Sequence, residues 1–279
     1  MSAHWKKIAS VLIVLLMGLS VSAWAQAGPP QPPVLSPPQL DQLVGRIALY
    51  PDPLLAQTLT ASTYWLDIPA AASWADQHSN VTGDALTAEI QEDQLPWDPS
   101  VLGLIAFPSV LDTMARDPGW TEQLGEAVLA QRPDVMDAVQ RMRAQAYGYG
   151  YLRPNAYYNV VYEGGYYQIL PLGPAFWVPI YDPAIVYARP RPGFAIGAAI
   201  GFGPRIVIGT TFVSAGFWAG PSIVWASHGI FFGGVMWGRT WANRGVYVHA
   251  YPHPYARPVG PRIERHDVRP GERDRRPPR

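Results

Sequence analysis

The chain has 279 residues, of which 48% are hydrophobic and 15% charged, with 21 basic and 21 acidic side chains and no cysteine. The missing cysteine excludes disulfides, a thiol nucleophile and a lipid-bearing cysteine, so a packed core must hold the fold together. The balanced charge hides an asymmetry: residues 26–187 carry 6 Arg and 17 acids, net −11, whereas residues 188–279 carry 13 Arg and 4 acids, net +9. Either the basic half meets an anionic partner such as lipid headgroups, or the two halves complement each other.

Residues 1–25 read as a cleavable signal peptide. Lys6 and Lys7 precede an apolar run from Ile8 to Val21, and Ala23-Trp24-Ala25 supplies small residues at the positions a signal peptidase reads. The run has 14 residues, short of the roughly 20 that span a bilayer. The mature chain is expected to start near Gln26, with cleavage after Ala27 as an alternative. The expected location is the periplasm or the outer envelope, without a lipoprotein anchor. Export also makes nucleic acid a poor partner.

Residues 26–35 form a Pro-rich linker. Residues 36–148 predict a domain of short packed helices. Ser36-Pro37, Asp52-Pro53, Asp98-Pro99 and Asp117-Pro118 each suit a helix start, because Asp or Ser accepts the unpaired N–H groups and Pro needs none at the first position. Leu40, Leu43, Val44 and Ile47 fall at helical spacing, as do Leu54, Leu55 and Leu59. Ile68-Pro69 leads into a third helix, and Leu86 and Ile90 mark a fourth. Val101–Phe107 and Val110–Arg116 form a pair broken by Pro108. Thr121 is expected to cap a segment containing Leu124 and Val128. Pro133 opens another, in which Val135, Val139, Met142 and Ala146 share one face.

The pattern changes after Tyr147. Residues 149–192 predict Tyr-rich β-hairpins. Asn159–Tyr162 and Tyr166–Leu170 flank Gly164-Gly165. Phe176–Tyr181 and Ala184–Tyr187 flank Asp182-Pro183, with Pro179 arguing for an edge. Residues 193–251 form a Gly-rich apolar segment. Between 193 and 238 the one charged residue is Arg205. Gly193, Gly197 and Gly201, then Gly216 and Gly220, then Gly229 and Gly233, recur four apart. That spacing suits close helix approach in a membrane or in self-association. Ile206–Ala226 is 21 residues without a charge, about 31 Å if helical. Against a membrane hairpin stand Pro204, Pro221 and the β-branched run Arg205–Val213, which favour a buried sheet together with Ser222–Ala226 and Gly245–His249. Residues 252–279 are an Arg- and Pro-rich tail expected to be disordered. The whole reads as an α+β chain.

The segment Leu35–Leu59, with Arg46-Ile-Ala-Leu-Tyr-Pro-Asp-Pro-Leu-Leu55, resembles the opening of a bacterial family of exported proteins known as domain of unknown function 3300 (DUF3300). Trp177-Val-Pro-Ile-Tyr-Asp-Pro-Ala-Ile-Val-Tyr187 resembles a later family motif, and the Gly- and Trp-rich stretch ending at Trp237-Gly238 also fits. The resemblance covers roughly residues 36–250. It implies export and membrane association through the apolar stretch. It carries no established activity, so no catalytic residue transfers. The Asn-rich terminal repeats of many members are absent here, and an Arg-Pro tail takes their place.

No catalytic, cofactor-binding or metal-binding constellation stands out. Ser214 and Ser222 are not in Gly-x-Ser-x-Gly, and Ser227-His228 are adjacent. Pro252 and Pro254 forbid the helix that would bring His249 and His253 together. Glu89, Glu92 and Asp93 read as an exposed acidic face. Tyr157, Tyr158, Tyr162, Tyr166 and Tyr167 could stack on sugar rings or pack between the two halves. The leading expectation is a non-enzymatic envelope protein that associates with membrane lipid, with an envelope protein or with its own copies. The second is a soluble periplasmic module binding glycans such as peptidoglycan. A third, an envelope hydrolase, needs a polar cleft.

Overall fold

Proline near the first helical position sets the start of nearly every helix. The computed structural model describes residues 32–193 and 196–246. The helices in chain order are α1 (Pro37–Val44), α2 (Asp52–Ser62), α3 (Ile68–Gln77), α4 (Gly83–Glu92), α5 (Pro99–Leu104), α6 (Pro108–Arg116) and α7 (Pro118–Gly148). Asp98 caps α5 by accepting the Ser100 N–H at 2.8 Å, and Asp117 caps α7 by accepting the Trp120 N–H at 3.1 Å. Asp52 does not cap: its side chain turns inward and is buried. Thr121, expected as a cap, lies inside α7, where its hydroxyl donates to the Met114 carbonyl at 2.7 Å.

The helix expected to open at Pro133 is continuous with its predecessor across a kink at Gln131. Pro133 has no N–H to give the carbonyl four residues earlier, at Leu129. That carbonyl accepts the Trp241 N–H at 2.9 Å instead. On its other side the kink holds the N-terminal segment. Leu35 N–H donates to Gln131 Oε1 at 2.7 Å, and Gln131 Nε2 donates to the Leu35 carbonyl at 3.2 Å. One proline thus creates docking points for chain on both sides of the helical region.

The first hairpin is β1 (Tyr158–Glu163) with β2 (Tyr166–Pro171), paired in the register Val160↔Ile169 and Tyr162↔Tyr167. Gly164 and Gly165 both have positive φ, 59° and 90°, as a two-residue turn matched to strand twist requires. The second expected hairpin does not form. β3 (Ala175–Phe176) pairs with β6 (Ile206–Val207), and β4 (Pro179–Tyr181) pairs with β5 (Ile200–Phe202). Asp182-Pro183 starts a short helix, α8 (Pro183–Val186), by accepting the Ala184 N–H at 2.8 Å. This is the chemistry of Asp98-Pro99, here placed after a strand.

The glycine-rich segment is built of short pieces: a 3-10 turn at Ile196–Ala198, β5, β6, helix α9 (Thr210–Ser214) and a three-stranded antiparallel sheet. The sheet has the order β7 (Ser222–Val224), β8 (Gly229–Phe232), β9 (Val235–Met236). The run from Arg205 to Val213, expected as a strand, gives β6 and then α9. No helix among the described residues is long and apolar enough to cross a membrane. The leader, most of the Pro-rich linker and the Arg-Pro tail lie outside the described residues, as does most of Gly245–His249.

The apolar side chains of this segment complete the helical core. Phe176, Phe212, Trp218, Trp225 and Ile230 are buried in the same cluster as Leu54, Leu55, Phe107 and Val128. Phe107, Phe176 and Trp218 form an aromatic triangle with ring centroids 5.3 to 5.7 Å apart. Edge contacts within it add about 1 kcal/mol each beyond burial.

Two glycines allow close backbone approach. A Cβ on Gly125 of α7 would lie 2.1 Å from the Ser62 carbonyl oxygen of α2, and one on Gly103 of α5 would lie 2.6 Å from the Phe217 carbonyl oxygen. Gly125→Ala must push α7 off α2 and is expected to cost about 3 kcal/mol, read as a fall in the urea midpoint at unchanged slope.

The Trp120 N–H and then the Arg46 guanidinium, 2.8 Å away, hold the Asp117 carboxyl below its ordinary value of 3.8. A depressed carboxyl stabilises the fold above its unfolded pKa, and that contribution is lost as pH falls through the folded value. Asp117→Asn keeps the cap and removes the charge. Its expected cost at neutral pH is below about 1 kcal/mol, because both side chains are solvated. Melting curves of the two proteins should converge as pH drops below about 4.

Candidate functional site

The largest fully buried side chain among the described residues is that of Arg143, which has no exposed surface. It comes from the last turns of α7. Nη1 donates to Asp52 Oδ1 at 2.6 Å and to the Tyr167 carbonyl at 2.8 Å. Nε donates to the Ala48 carbonyl at 2.8 Å, and Nη2 to the Tyr50 carbonyl at 2.9 Å. Asp52 Oδ1 also accepts the Ile169 N–H at 3.2 Å, and Oδ2 accepts the Trp225 indole N–H at 2.8 Å. The guanidinium lies 4.8 Å from the centre of the Trp225 ring. Every charge here is paired, and no ligand space separates the groups. This is a structural cross-link between α2, α7, β2 and the glycine-rich segment.

The two sequence motifs also meet each other. Tyr181 Oη accepts the Leu49 N–H at 3.2 Å, and Tyr187 Oη donates to the Gly45 carbonyl at 3.0 Å. Burial raises the phenols of Tyr50, Tyr181 and Tyr187 above their ordinary value. They stay protonated, and Tyr181 and Tyr187 serve as hydrogen-bonding supports.

The expected tyrosines separate into two groups. On the β1–β2 hairpin Tyr158, Ile169, Tyr162 and Tyr167 share one face. That face is buried at its base, where Tyr158 is 1% exposed, and emerges at the tip, where Tyr162 is 62% exposed. Tyr158 is thus almost wholly covered and meets the neighbouring groove only at its floor, and Tyr166 packs against the main core. The tip forms a ladder. Tyr162 and Tyr167 rings are 4.6 Å apart, Tyr167 and Tyr147 4.8 Å, and the Arg153 guanidinium sits 4.0 Å from the Tyr147 ring. Gln140 of α7 fixes the hairpin here: Tyr167 N–H donates to its Oε1 at 2.8 Å, and its Nε2 donates to the Tyr167 carbonyl at 3.1 Å. Loss of solvation, then the neighbouring Tyr162 and Tyr147, pushes the Tyr167 phenol up.

Beside the ladder lies a second aromatic group. Tyr157, 37% exposed, has its ring 4.1 Å from Phe202 and 5.4 Å from Trp177. Asn155 Oδ1 accepts the N–H groups of Tyr157 and Tyr158 at 2.8 and 3.1 Å, fixing this turn. A groove of about 520 Å³ runs along it, lined by Tyr151, Arg153, Asn155, Tyr157, Ile200 and Phe202. Arg153 belongs to both groups. The site offers stacking faces, one cation and one amide. Periodicity identified the tyrosines, but Arg153 and Asn155 were missed, because nothing in their sequence context distinguishes them from ordinary loop polarity.

The glycines singled out by spacing serve as turn and contact points. Gly193, Gly216, Gly220 and Gly233 have positive φ. Gly197 lies in the 3-10 turn, Gly201 is opposite Ile180 in β5, and Gly229 begins β8 under the Phe231 ring. None lies in an α-helix. Elsewhere, His228 Nε2 meets Asp137 Oδ1 at 3.0 Å, while the Ser227 hydroxyl donates to the Val224 carbonyl at 3.3 Å and not to the imidazole. Asp93 is tied up by the Trp74 indole N–H at 2.6 Å. No group of three or more metal-ligating side chains occurs among the described residues.

With this arrangement in place, the comparisons give the class. Residues 36–254 match the family described as protein of unknown function (DUF3300), and the chain belongs to that family. It is 42% identical over 123 residues to "Uncharacterized protein YacH" of Escherichia coli (strain K12), covering 44% of this chain and 20% of that protein. The chain thus spans about a fifth of the length of this curated relative. No solved structure matches it.

Removing one partner of the buried pair strands a charge. Arg143→Met and Asp52→Asn are each expected to cost about 3–5 kcal/mol. A double-mutant cycle in urea should show that the two losses do not add.

Proposed function

We propose that this chain is an exported, non-enzymatic envelope protein that binds glycan strands through the aromatic surface at Tyr157, Tyr162 and Tyr167. The observation that carries the reading is an exposed tyrosine ladder beside an aromatic groove, with Arg153 shared by both. Sugar rings present C–H faces that pack on aromatic faces, while amide and guanidinium donors reach their hydroxyls and carboxylates. A cation in the groove favours glycans that carry acidic groups, as peptidoglycan does. Phe212, Trp218, Trp225 and Ile230 of the glycine-rich segment are buried in the protein's own core, which weakens the motive for inserting that segment in a lipid bilayer.

A second reading, self-association, is favoured by the edge of the β7–β8–β9 sheet. Val235 is 72% and Met236 61% exposed on its outermost strand, and exposed apolar edges invite strand pairing. Light scattering of the mature chain reads its mass directly, and a monomer at all accessible concentrations removes this reading.

Co-sedimentation of the mature chain with purified sacculi tests the glycan reading. Tyr162→Ala and Arg153→Gln, both at exposed positions, are each expected to weaken retention about tenfold with an unchanged circular dichroism spectrum. Wild-type protein that stays in the supernatant at low salt defeats the proposal.

A further inference from the structure

Arg205, the lone charge in the apolar stretch from Gly193 to Gly238, has a place that the glycan surface does not explain. It lies at the rim of a groove of about 490 Å³ between the α3–α4 connection, the start of α6 and β6. The volume is in the range of small-molecule sites, about 300–1,000 Å³. The walls are aliphatic: Ala75, Val81, Leu86, Ile105, Ala106 and Ile206. No Phe, Tyr or Trp lines it, and the one ring on its wall, the His78 imidazole, is already stacked on Trp74. No acidic side chain lines it either. Arg205 is exposed and has neither a hydrogen bond nor an ion pair among the described residues.

A second polar group, the His78 imidazole, is fixed on the same wall. The His78 ring stacks on Trp74 at 3.9 Å, and its Nδ1 meets the Trp74 carbonyl at 2.8 Å. A carbonyl can only accept, so Nδ1 carries the proton, and Nε2 is left without a partner among the described residues. Thr82 and Ser109 add hydroxyls to the rim. Aliphatic walls ending at one unpaired cation match a ligand with one aliphatic tail and one negative end.

We propose that this groove binds a single-chain amphiphile with an anionic headgroup, a long-chain fatty-acid carboxylate, with the chain along the aliphatic walls and the carboxylate at Arg205. Charge complementarity commits the site to an anion, and the mainly aliphatic walls, without Phe, Tyr or Trp, commit it to an alkyl chain. The site shares no residue with the tyrosine surface, so the two readings stand or fall separately.

Calorimetry on the mature chain tests this with three probes of equal chain length below their micelle concentrations: dodecanoate, dodecyltrimethylammonium and dodecyl maltoside. Dodecanoate is expected to bind more tightly than the cationic probe by about tenfold. Arg205→Gln should remove that preference and leave the maltoside unchanged. Val207→Trp, at an exposed lining position, should block all three while the far-ultraviolet spectrum stays native. Equal affinity for the three headgroups, undiminished dodecanoate binding by either variant, or no binding of dodecanoate would each overturn the proposal.

Discussion

The Asp52 carboxylate is buried, and a buried charge of this kind is tolerated only when every oxygen is matched. Asp52 belongs to α2, and its partners come from three other stretches of chain: Arg143 from α7, the Ile169 amide from β2 and the Trp225 indole from the glycine-rich segment. Arg143 spends its remaining donors on the carbonyls of Ala48, Tyr50 and Tyr167. The helices, the hairpin and the C-terminal sheet cannot shift independently without exposing an unpaired charge. The tyrosine ladder depends on the same cross-link, because the Tyr167 carbonyl that anchors the hairpin is one of Arg143's acceptors.

The rigid base matters for the surface it carries. A stacking platform binds a sugar well only when its rings are already in place, since ordering them on binding costs free energy. Here Gln140 fixes both hydrogen-bonding groups of Tyr167, Asn155 fixes the turn at Tyr157, and Arg153 rests on Tyr147. The aliphatic groove at Arg205 differs in kind. It offers aliphatic walls and one unpaired cation, so it selects by tail and charge.

The α+β class and the helix starts were readable from local chemistry. Asp98 and Asp117 cap because a carboxylate followed by proline favours nothing else so well, and Gly164-Gly165 dictates its turn. What local chemistry could not show was pairing across long stretches. β3 finds β6, and β4 finds β5, across a segment whose glycines read equally well as helix contacts or as turns. Asp52 carries the same Asp-Pro signal as Asp98, yet it serves Arg143, because only the folded core brings that guanidinium near. Of the candidate tyrosines, strand alternation put Tyr158, Tyr162 and Tyr167 on one side, but only the position along the hairpin separates the buried one from the exposed ones.

The kink before Pro133 bears on the order in which the molecule can become complete. The Leu129 carbonyl freed by that proline is answered by Trp241, the Asp52 carboxylate by Trp225, and the Thr63 carbonyl by Arg239. All three donors lie far downstream, the last of them 176 residues beyond its acceptor. A chain that emerges N-terminus first therefore produces every major helix while these acceptors still face water. These three acceptors stay hydrated until the downstream turns and loop that carry their donors arrive.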